Sequence, residues 1–500
     1  MDYFFSETDT RTRNRISAVL NLPMLARVLG LLIWVEAIMF LLSALVGVIY
    51  QESGYRYFLY AALINITFGG GMVYYGRNAS SQLSRHDAYF IVPVIWILFT
   101  LLGMLPFLFS GEIKSVTDAF FETMSGFTTT GATVVDNIEG LSHGNLFWRS
   151  LTQWIGGVGI VFFTIAVFPV FGGNNMQLFS AEATGVTHSK IHPKINVMAK
   201  WILAIYILLT LIETILLMIG GMTLFDAICH AFTTTATGGF STKQDSISYW
   251  NSPFIEYVVA VFMILSGINF SLYFMCITGK GKRFFKDHEL HWFLGSVGVL
   301  TVVIALALMV RNGYGAELAF RKSLFQVATC HTSCGFASDD FNYWPQFTWI
   351  LLLFAMIAGG CTGSTSGGIK NMRMVISFHN IRNEFKRLLH PRAILPVKVD
   401  KHVVAPTIVE AVHTFIIFYF VCIFIGSMLL MLFGVDMIEA FSTVISSMGN
   451  VGPGLGIYGP AFTWSSLPDA AKWVLSALML IGRLELFGII LLFTAFFWKD

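Results

Sequence analysis

Four short glycine turns hold the chemistry that this 500-residue sequence offers. They read Thr128-Thr129-Thr130-Gly131-Ala132, Ala236-Thr237-Gly238-Gly239-Phe240, Thr332-Ser333-Cys334-Gly335-Phe336 and Asn450-Val451-Gly452-Pro453. There is no phosphate-cradling Gly-Lys-Thr loop, metalloprotease motif or nucleophile elbow, so enzymatic chemistry is not expected. What such turns can supply is backbone. Carbonyl oxygens replace the hydration shell of a cation, and glycine allows the unusual dihedrals that aim them. One turn alone means little, because glycine is common in membrane helices. Four in a common register point to a ring.

The register is tight. Asp118 lies thirteen residues before Gly131, Asp226 thirteen before Gly239 and Glu439 thirteen before Gly452. Lys322 takes that place before Gly335, with the opposite sign. The residues between read as short amphipathic helices, near 117–129, 224–235, 318–331 and 437–448. An acid near the start suits the positive helix N-terminus, and the negative C-terminus then faces the turn, where it favours a cation. The acids would stand at the outer rim and raise local cation concentration.

These elements need a membrane around them. The chain is 55% hydrophobic and 12% charged, with a mean hydropathy of +0.70; soluble domains carry roughly 25% charged residues. Spans are expected near 28–50 and 58–76, followed by four pairs: 88–109 with 147–171, 198–221 with 254–277, 291–310 with 346–369, and 404–433 with 470–497. Each pair brackets one short helix and its turn. The expected fold class is therefore all-α polytopic membrane protein, with four pseudo-repeated helix–pore loop–helix units around one pore plus two N-terminal membrane helices. The division runs 1–87 for the tail and extra helices, 88–171, 172–277 and 278–369 for three repeats, 370–403 for a basic loop, and 404–500 for the fourth repeat.

Charge orients the spans. With both termini cytoplasmic, 22 of the 31 basic residues fall on inner segments and eight on outer ones, leaving Arg483 within a span. This is the positive-inside bias, and it puts all four turns on the outer side. Eight of the inner charges lie between Lys370 and Lys401, a stretch that sets topology or docks a cytoplasmic partner. The acidic start lacks the basic segment and cleavage site of a removable signal peptide. The six cysteines are scattered and suggest no disulfide framework.

A break in one span is legible as well. Gly156-Gly157, Gly267, Gly359-Gly360 and Gly482 place small residues at similar depth on the second helix of each pair. In the third pair, Gly359, Gly360, Gly363, Gly367 and Gly368 fall within ten residues, among Thr362, Ser364, Thr365 and Ser366. Each interior glycine costs about 1 kcal/mol relative to alanine, so this stretch should unwind, which is tolerated at membrane depth only beside a water-filled path. Close packing by small residues is the competing reading. Arg483 lies in the last span, where a charge costs at least about 2.5 kcal/mol and faces a cavity or a partner. A fixed positive charge there would be an electrostatic barrier on a cation path; a structural pair with Glu485 or a neighbouring helix is the alternative.

With these residues in place, the sequence resembles the superfamily of Trk, Ktr and HKT potassium transporters, and within it the TrkH/TrkG branch, the membrane subunits of the bacterial Trk potassium uptake system. The resemblance covers the chain from about residue 20. It implies a simplified potassium filter with glycines Gly131, Gly239, Gly335 and Gly452. Coordinating carbonyls would come from those and from Thr129, Thr130, Thr237, Gly238, Ser333, Cys334, Asn450 and Val451. Glycine rather than serine at position 131 implies selectivity for potassium over sodium. The resemblance also implies an intramembrane gating loop at 359–368 with Arg483 beside it as its partner in the closed gate, a homodimer with one pore per protomer, a bacterial inner-membrane location, and a soluble TrkA-like partner binding NAD(H) or ATP/ADP. No cofactor is expected in this chain, and potassium is the transported ion.

Weaker signals have plainer readings. Cys330, His331 and Cys334 offer three ligands where structural zinc takes four. Glu36, Glu213 and Glu410 lie within spans; a helix–helix hydrogen bond is the expected role, though Glu213 or Glu410, the latter near His413, could carry a coupled proton. Two alternatives therefore stand beside the channel reading: an H⁺- or Na⁺-coupled potassium symporter, and a non-conducting membrane sensor or scaffold.

Overall fold

The computed structural model describes residues 20–79, 84–162, 195–400, 402–495 and 497–498. The acidic start, the end of the expected span 147–171, and the connection with Lys190 and Lys194 lie outside these residues. Apart from a two-residue antiparallel pair, β1 (Lys398–Val399) with β2 (His402–Val403), every described element is helical. The chain is an all-α polytopic membrane protein with four helix–turn–helix repeats after two N-terminal helices.

The contacts divide it into two compact units. The first contains α1 (Leu22–Ile49), α2 (Tyr55–Tyr75), α3 (Arg85–Gly103) and α4 (Leu105–Ser110). Helices α1 and α2 form a hairpin whose backbones meet at Gly30 and Gly69. A Cβ on either glycine would come within 3.0 Å of the other's carbonyl oxygen. Within the hairpin Glu36 accepts a hydrogen bond from Asn65 Nδ2 at 2.9 Å, as expected for a buried acid in a span. Helix α3 starts with a capping box between Ser84 and Asp87, and Asp87 also accepts from Asn21 N at 2.8 Å. Trp148 packs on Phe40 and donates to Gly103 O at 2.9 Å.

The short helices fall where the sequence put them: α5 (Val116–Phe127), α8 (Leu224–Thr235), α12 (Ala316–His331) and α16 (Met437–Gly449). Between them run α6 (His143–Phe162), α7 (Ile195–Ile219), α9 (Pro253–Ser266), α10 (Phe270–Met275), α11 (His288–Arg311), α13 (Gln346–Ala358), α14 (Asn371–Leu389), α15 (Pro406–Leu432) and α17 (Asp469–Arg483). The second unit takes residues 125–140 and 149–483. Helices α5 and α6 each give residues to both units.

Not all of the ten expected spans are single helices. Six helices among the described residues are long and apolar enough to cross alone. The span expected at 254–277 is broken between α9 and α10, with a bend of 87°. The span expected at 346–369 is only α13, 13 residues long, because the glycine run ends it. The last span stops at Arg483 and resumes at Phe487, with Glu485 and Leu486 in left-handed backbone between. Arg483 is thus a helix end rather than a mid-helix residue.

Candidate cation site

In the three-residue core of each turn the first residue, Thr129, Thr237, Ser333 or Asn450, has the same φ of +53°. The third, Gly131, Gly239, Gly335 and Gly452, has φ of +79°, +77°, +90° and +110°. The middle residues are not left-handed. Hydrogen bonding explains the shared shape. Thr130 N donates to Ser125 O, Gly238 N to Thr233 O and Cys334 N to Thr329 O, all at 2.8 Å, and Val451 N to Ser446 O at 2.9 Å. The residue before bonds three residues back, as in Thr129 N to Gly126 O at 3.0 Å. This is the Schellman arrangement that ends a helix with one left-handed residue. Glycine or asparagine normally fills that place, and only the fourth turn uses one of them. A β-branched threonine there costs on the order of 1–3 kcal/mol, strain that collects at functional sites.

The four turns close a ring. A Cβ on Gly131 would meet Gly238 O, one on Gly239 would meet Cys334 O, one on Gly335 would meet Val451 O, and one on Gly452 would meet Thr130 O, each within 3.0 Å. Every glycine therefore seats the middle carbonyl of the next turn, and the fourth returns to the first. All four glycines line one open vestibule, with Arg149, Phe240 and Trp464 on its wall. The twelve residues read from the sequence as the filter are brought together here, and the seven with side chains among them are buried to 1% exposure or less.

Sequence reading missed the braces. Gln153 donates from Nε2 to Gly238 O at 2.7 Å and accepts from Phe240 N at 3.0 Å, so one of the twelve carbonyls already holds a protein donor. Arg149 spans the first two turns, donating to Thr133 Oγ1 and to Ser241 O, both at 3.2 Å, with its guanidinium 4.2 Å from the Phe240 ring centre. Asn450 donates to Thr130 Oγ1 at 3.0 Å and to Met479 O at 2.9 Å, joining the fourth turn to the first.

The small residues on the second helices are seats for these turns. A Cβ on Gly156 would strike Phe127 O, one on Gly267 the Thr332 side chain, and one on Gly482 Met448 O. Here the close-packing reading describes the observed contacts.

The glycine run from Gly359 to Lys370 is not helical and packs against the ring. Gly359, Gly363 and Gly368 have φ of +69°, +75° and +78°. Ser333 Oγ, in the third turn, accepts from Gly367 N at 2.5 Å. Thr365 Oγ1 donates to Thr235 O at 3.1 Å, where α8 ends. Gly360 N donates to Ser366 Oγ at 2.8 Å, Ser364 Oγ to Cys361 O at 2.6 Å, and a Cβ on Gly367 would strike Gly449 O. Arg483, 3% exposed, donates to Thr365 O at 2.7 Å and to Gly156 O at 3.2 Å. Lys370, read from the sequence as part of a stretch that sets topology or docks a partner, is 6% exposed and donates to Ser366 O. Two buried cations thus hold consecutive loop carbonyls. The only signal for Lys370 was its place at the end of the glycine run.

Among the described residues no cluster of metal ligands is present, and Cys330 and Cys334 are free thiols. His331 Nε2 pairs with Ser296 Oγ at 2.7 Å. The expected helix–helix hydrogen bond is made by Glu36 but not by the other two: both carboxylate oxygens of the buried Glu213 lack a hydrogen-bond partner, and Glu410 is exposed.

A family profile described as TrkH, cation transport protein, matches residues 56–500. The chain belongs to the TrkH family. It is 37% identical over 480 residues to the Trk system potassium uptake protein TrkH of Escherichia coli K12, covering 95% of this chain and 99% of the relative. It is 33% identical over 474 residues to the Trk system potassium uptake protein TrkG of the same organism, covering 94% and 97%. The crystal structure of the potassium transporter TrkH from Vibrio parahaemolyticus superposes with a TM-score of 0.88 at 35% identity, over 96% of this chain and all of that one. These relatives are transporters. This member of the TrkH family is a multi-pass membrane protein.

Proposed function

We propose that this protein takes up potassium across a bacterial inner membrane by channel-like permeation through the ring of four turns. The observation that carries the reading is the closed cycle of glycine-to-carbonyl contacts. It gives one axis, four equivalent helix C-termini and a set of carbonyls suited to a dehydrated cation. Gly131, Gly239, Gly335 and Gly452 are the filter glycines, with the two residues before each supplying further carbonyls. The loop 359–368 is the gate, held closed by Arg483 and Lys370, whose positive charges oppose a cation on the same path.

Regulation comes from the cytoplasmic side, where both termini lie. The stretch 370–401 is the docking surface for a TrkA-like subunit that carries NAD(H) or ATP/ADP, and the protein works as a homodimer. Helix α14 supports this reading: Phe378, Ile381, Phe385, Leu388 and Leu389 are each more than half exposed on a helix otherwise rich in charge. The boundaries at 87, 171, 277, 369 and 403 divide the chain into its functional repeats.

The test is Rb⁺ flux into liposomes containing the protein alone, with K⁺ and Na⁺ as competitors. Passive flux blocked by K⁺ and not by Na⁺ is expected. Flux that requires an opposing H⁺ or Na⁺ gradient would replace the channel with a coupled transporter, and no flux under any gradient, with or without the partner, would leave a sensor.

A further inference from the structure

The neck of the glycine loop is zipped shut. Ile369 N donates to Ile357 O at 2.9 Å, Asn371 N to Gly360 O at 3.0 Å, and Asn371 Nδ2 to Gly359 O at 2.6 Å. Asn371 is also the first residue of α14. The loop and α14 therefore form one mechanical piece, and any motion of α14 is passed to the loop.

One atom fastens that piece to a different helix. Glu289, in the first turn of α11 and 3% exposed, accepts through Oε1 from Thr362 N at 2.6 Å, from Thr362 Oγ1 at 2.9 Å and from Met372 N at 3.0 Å. Thr362 lies on the loop just after its neck. Met372 N belongs to the first turn of α14, where backbone N–H groups have no partner within the helix. A single carboxylate oxygen thus gathers three donors from both arms of the hinge.

We propose that Glu289 is a positioning residue that latches α14 and the glycine loop to α11, so that α14 cannot move the loop until this latch opens. The inference rests on the loop being the gate, as set out above. Its chemistry is specific: the latch needs an acceptor oxygen at that point, which glutamine retains and alanine does not. The first residues of α14 are anchored on another side as well, since Met372, Val375 and Ile376 pack with Val404, Ile408 and Val412 of the α15 region. A pull on the free end of α14 is therefore concentrated at its start, where Glu289 sits.

The experiment reads the loop and the flux separately. Cys361 lies in the loop and is 1% exposed, while Cys276 is exposed and serves as an internal standard. Maleimide labelling of each cysteine is quantified by peptide mass spectrometry in the intact protein, and Rb⁺ flux is measured in liposomes. Glu289→Ala is expected to raise Cys361 labelling and partner-free flux by about tenfold, equivalent to about 1.4 kcal/mol. Glu289→Gln should restore both to within about threefold of the parent. Unchanged Cys361 labelling in Glu289→Ala, or equal labelling in the alanine and glutamine variants, would overturn the latch. Raised labelling without raised flux would leave the latch standing and remove the loop as gate. Should the alanine variant not fold, Thr362→Val removes one of the three donors; a rise in Cys361 labelling supports the latch and none overturns it.

Discussion

Lys322 donates to the backbone carbonyl of Ser338 at 2.7 Å. Lys322 stands thirteen residues before Gly335 and Ser338 three after it. In the second repeat the same two places are filled by Asp226 and Thr242, and there Thr242 Oγ1 donates to Asp226 Oδ1 at 2.5 Å. The bond that ties the start of the short helix to the far side of the turn is preserved with its polarity reversed. The lysine is tolerated because the buried Glu256, 1% exposed, accepts from it at 2.9 Å and also pairs with Arg321 at 2.9 Å.

Restoring an acid in the third repeat should therefore fail. Lys322→Asp would set two carboxylates against each other and leave Ser338 O unpaired, at a cost of about 3 kcal/mol. Thermal unfolding followed by size-exclusion chromatography should show a clear loss, and the double variant Lys322→Asp with Glu256→Lys should recover part of it. Equal stability of Lys322→Asp and the parent would remove this account of the inverted charge.

Gly131→Ser places a Cβ against Gly238 O at a left-handed φ. The first two turns must spread, which loosens the ring for the smaller, more strongly hydrated ion. Na⁺ permeation relative to K⁺ is expected to rise about tenfold, equivalent to about 1.4 kcal/mol between the two ions. Competition of Na⁺ against Rb⁺ flux measures it.

Removing either loop cation should raise partner-free flux. Arg483→Ala deletes the bond to Thr365 O, and Lys370→Gly deletes the bond to Ser366 O while keeping a residue suited to φ +77°. Each is expected to increase flux about five- to tenfold, and the double variant less than the product, because both act on one loop and neighbouring effects do not add. Fully multiplicative effects in the liposome assay would mean that the two cations hold separate barriers.

Asp287 gives a pH dependence with a definite sign. Burial, with Asp400 nearby, lifts its carboxyl above the ordinary value even though it accepts from Leu290 N at 2.8 Å. The native state then holds this proton more tightly than the unfolded chain, so the associated stability is present at low pH and is lost as pH rises through the window above the ordinary carboxylate value. Asp287→Asn keeps the cap and cannot ionise. Its melting temperature should gain on the parent at about pH 7 and match it at about pH 4; the reverse order would contradict the sign.

The sequence determined a good deal by itself. Apolar length fixed the membrane class and placed the long helices to within a few residues, because a bilayer demands about 20 apolar residues for each crossing. The thirteen-residue register placed all four short helices and turns, since a helix of fixed length ending in a left-handed residue leaves a periodic trace. The glycine density from Gly359 to Gly368 announced a break in the third repeat, because so many interior glycines cannot hold a helix. The breaks after Ser266 and Arg483 left no such trace. They depend on carbonyls freed to receive other segments, as Gly267 O receives Cys361 N at 2.8 Å, and on left-handed backbone at Glu485 and Leu486, residues that give no sign of it in sequence. The braces at Gln153, Arg149 and Asn450, the second loop cation at Lys370 and the three-donor oxygen of Glu289 were likewise decided by tertiary structure alone. Apart from the bond of Lys370 to Ser366, four residues away, these join residues distant in sequence, and a hydrogen bond between such residues leaves no pattern along the chain until folding brings its ends together.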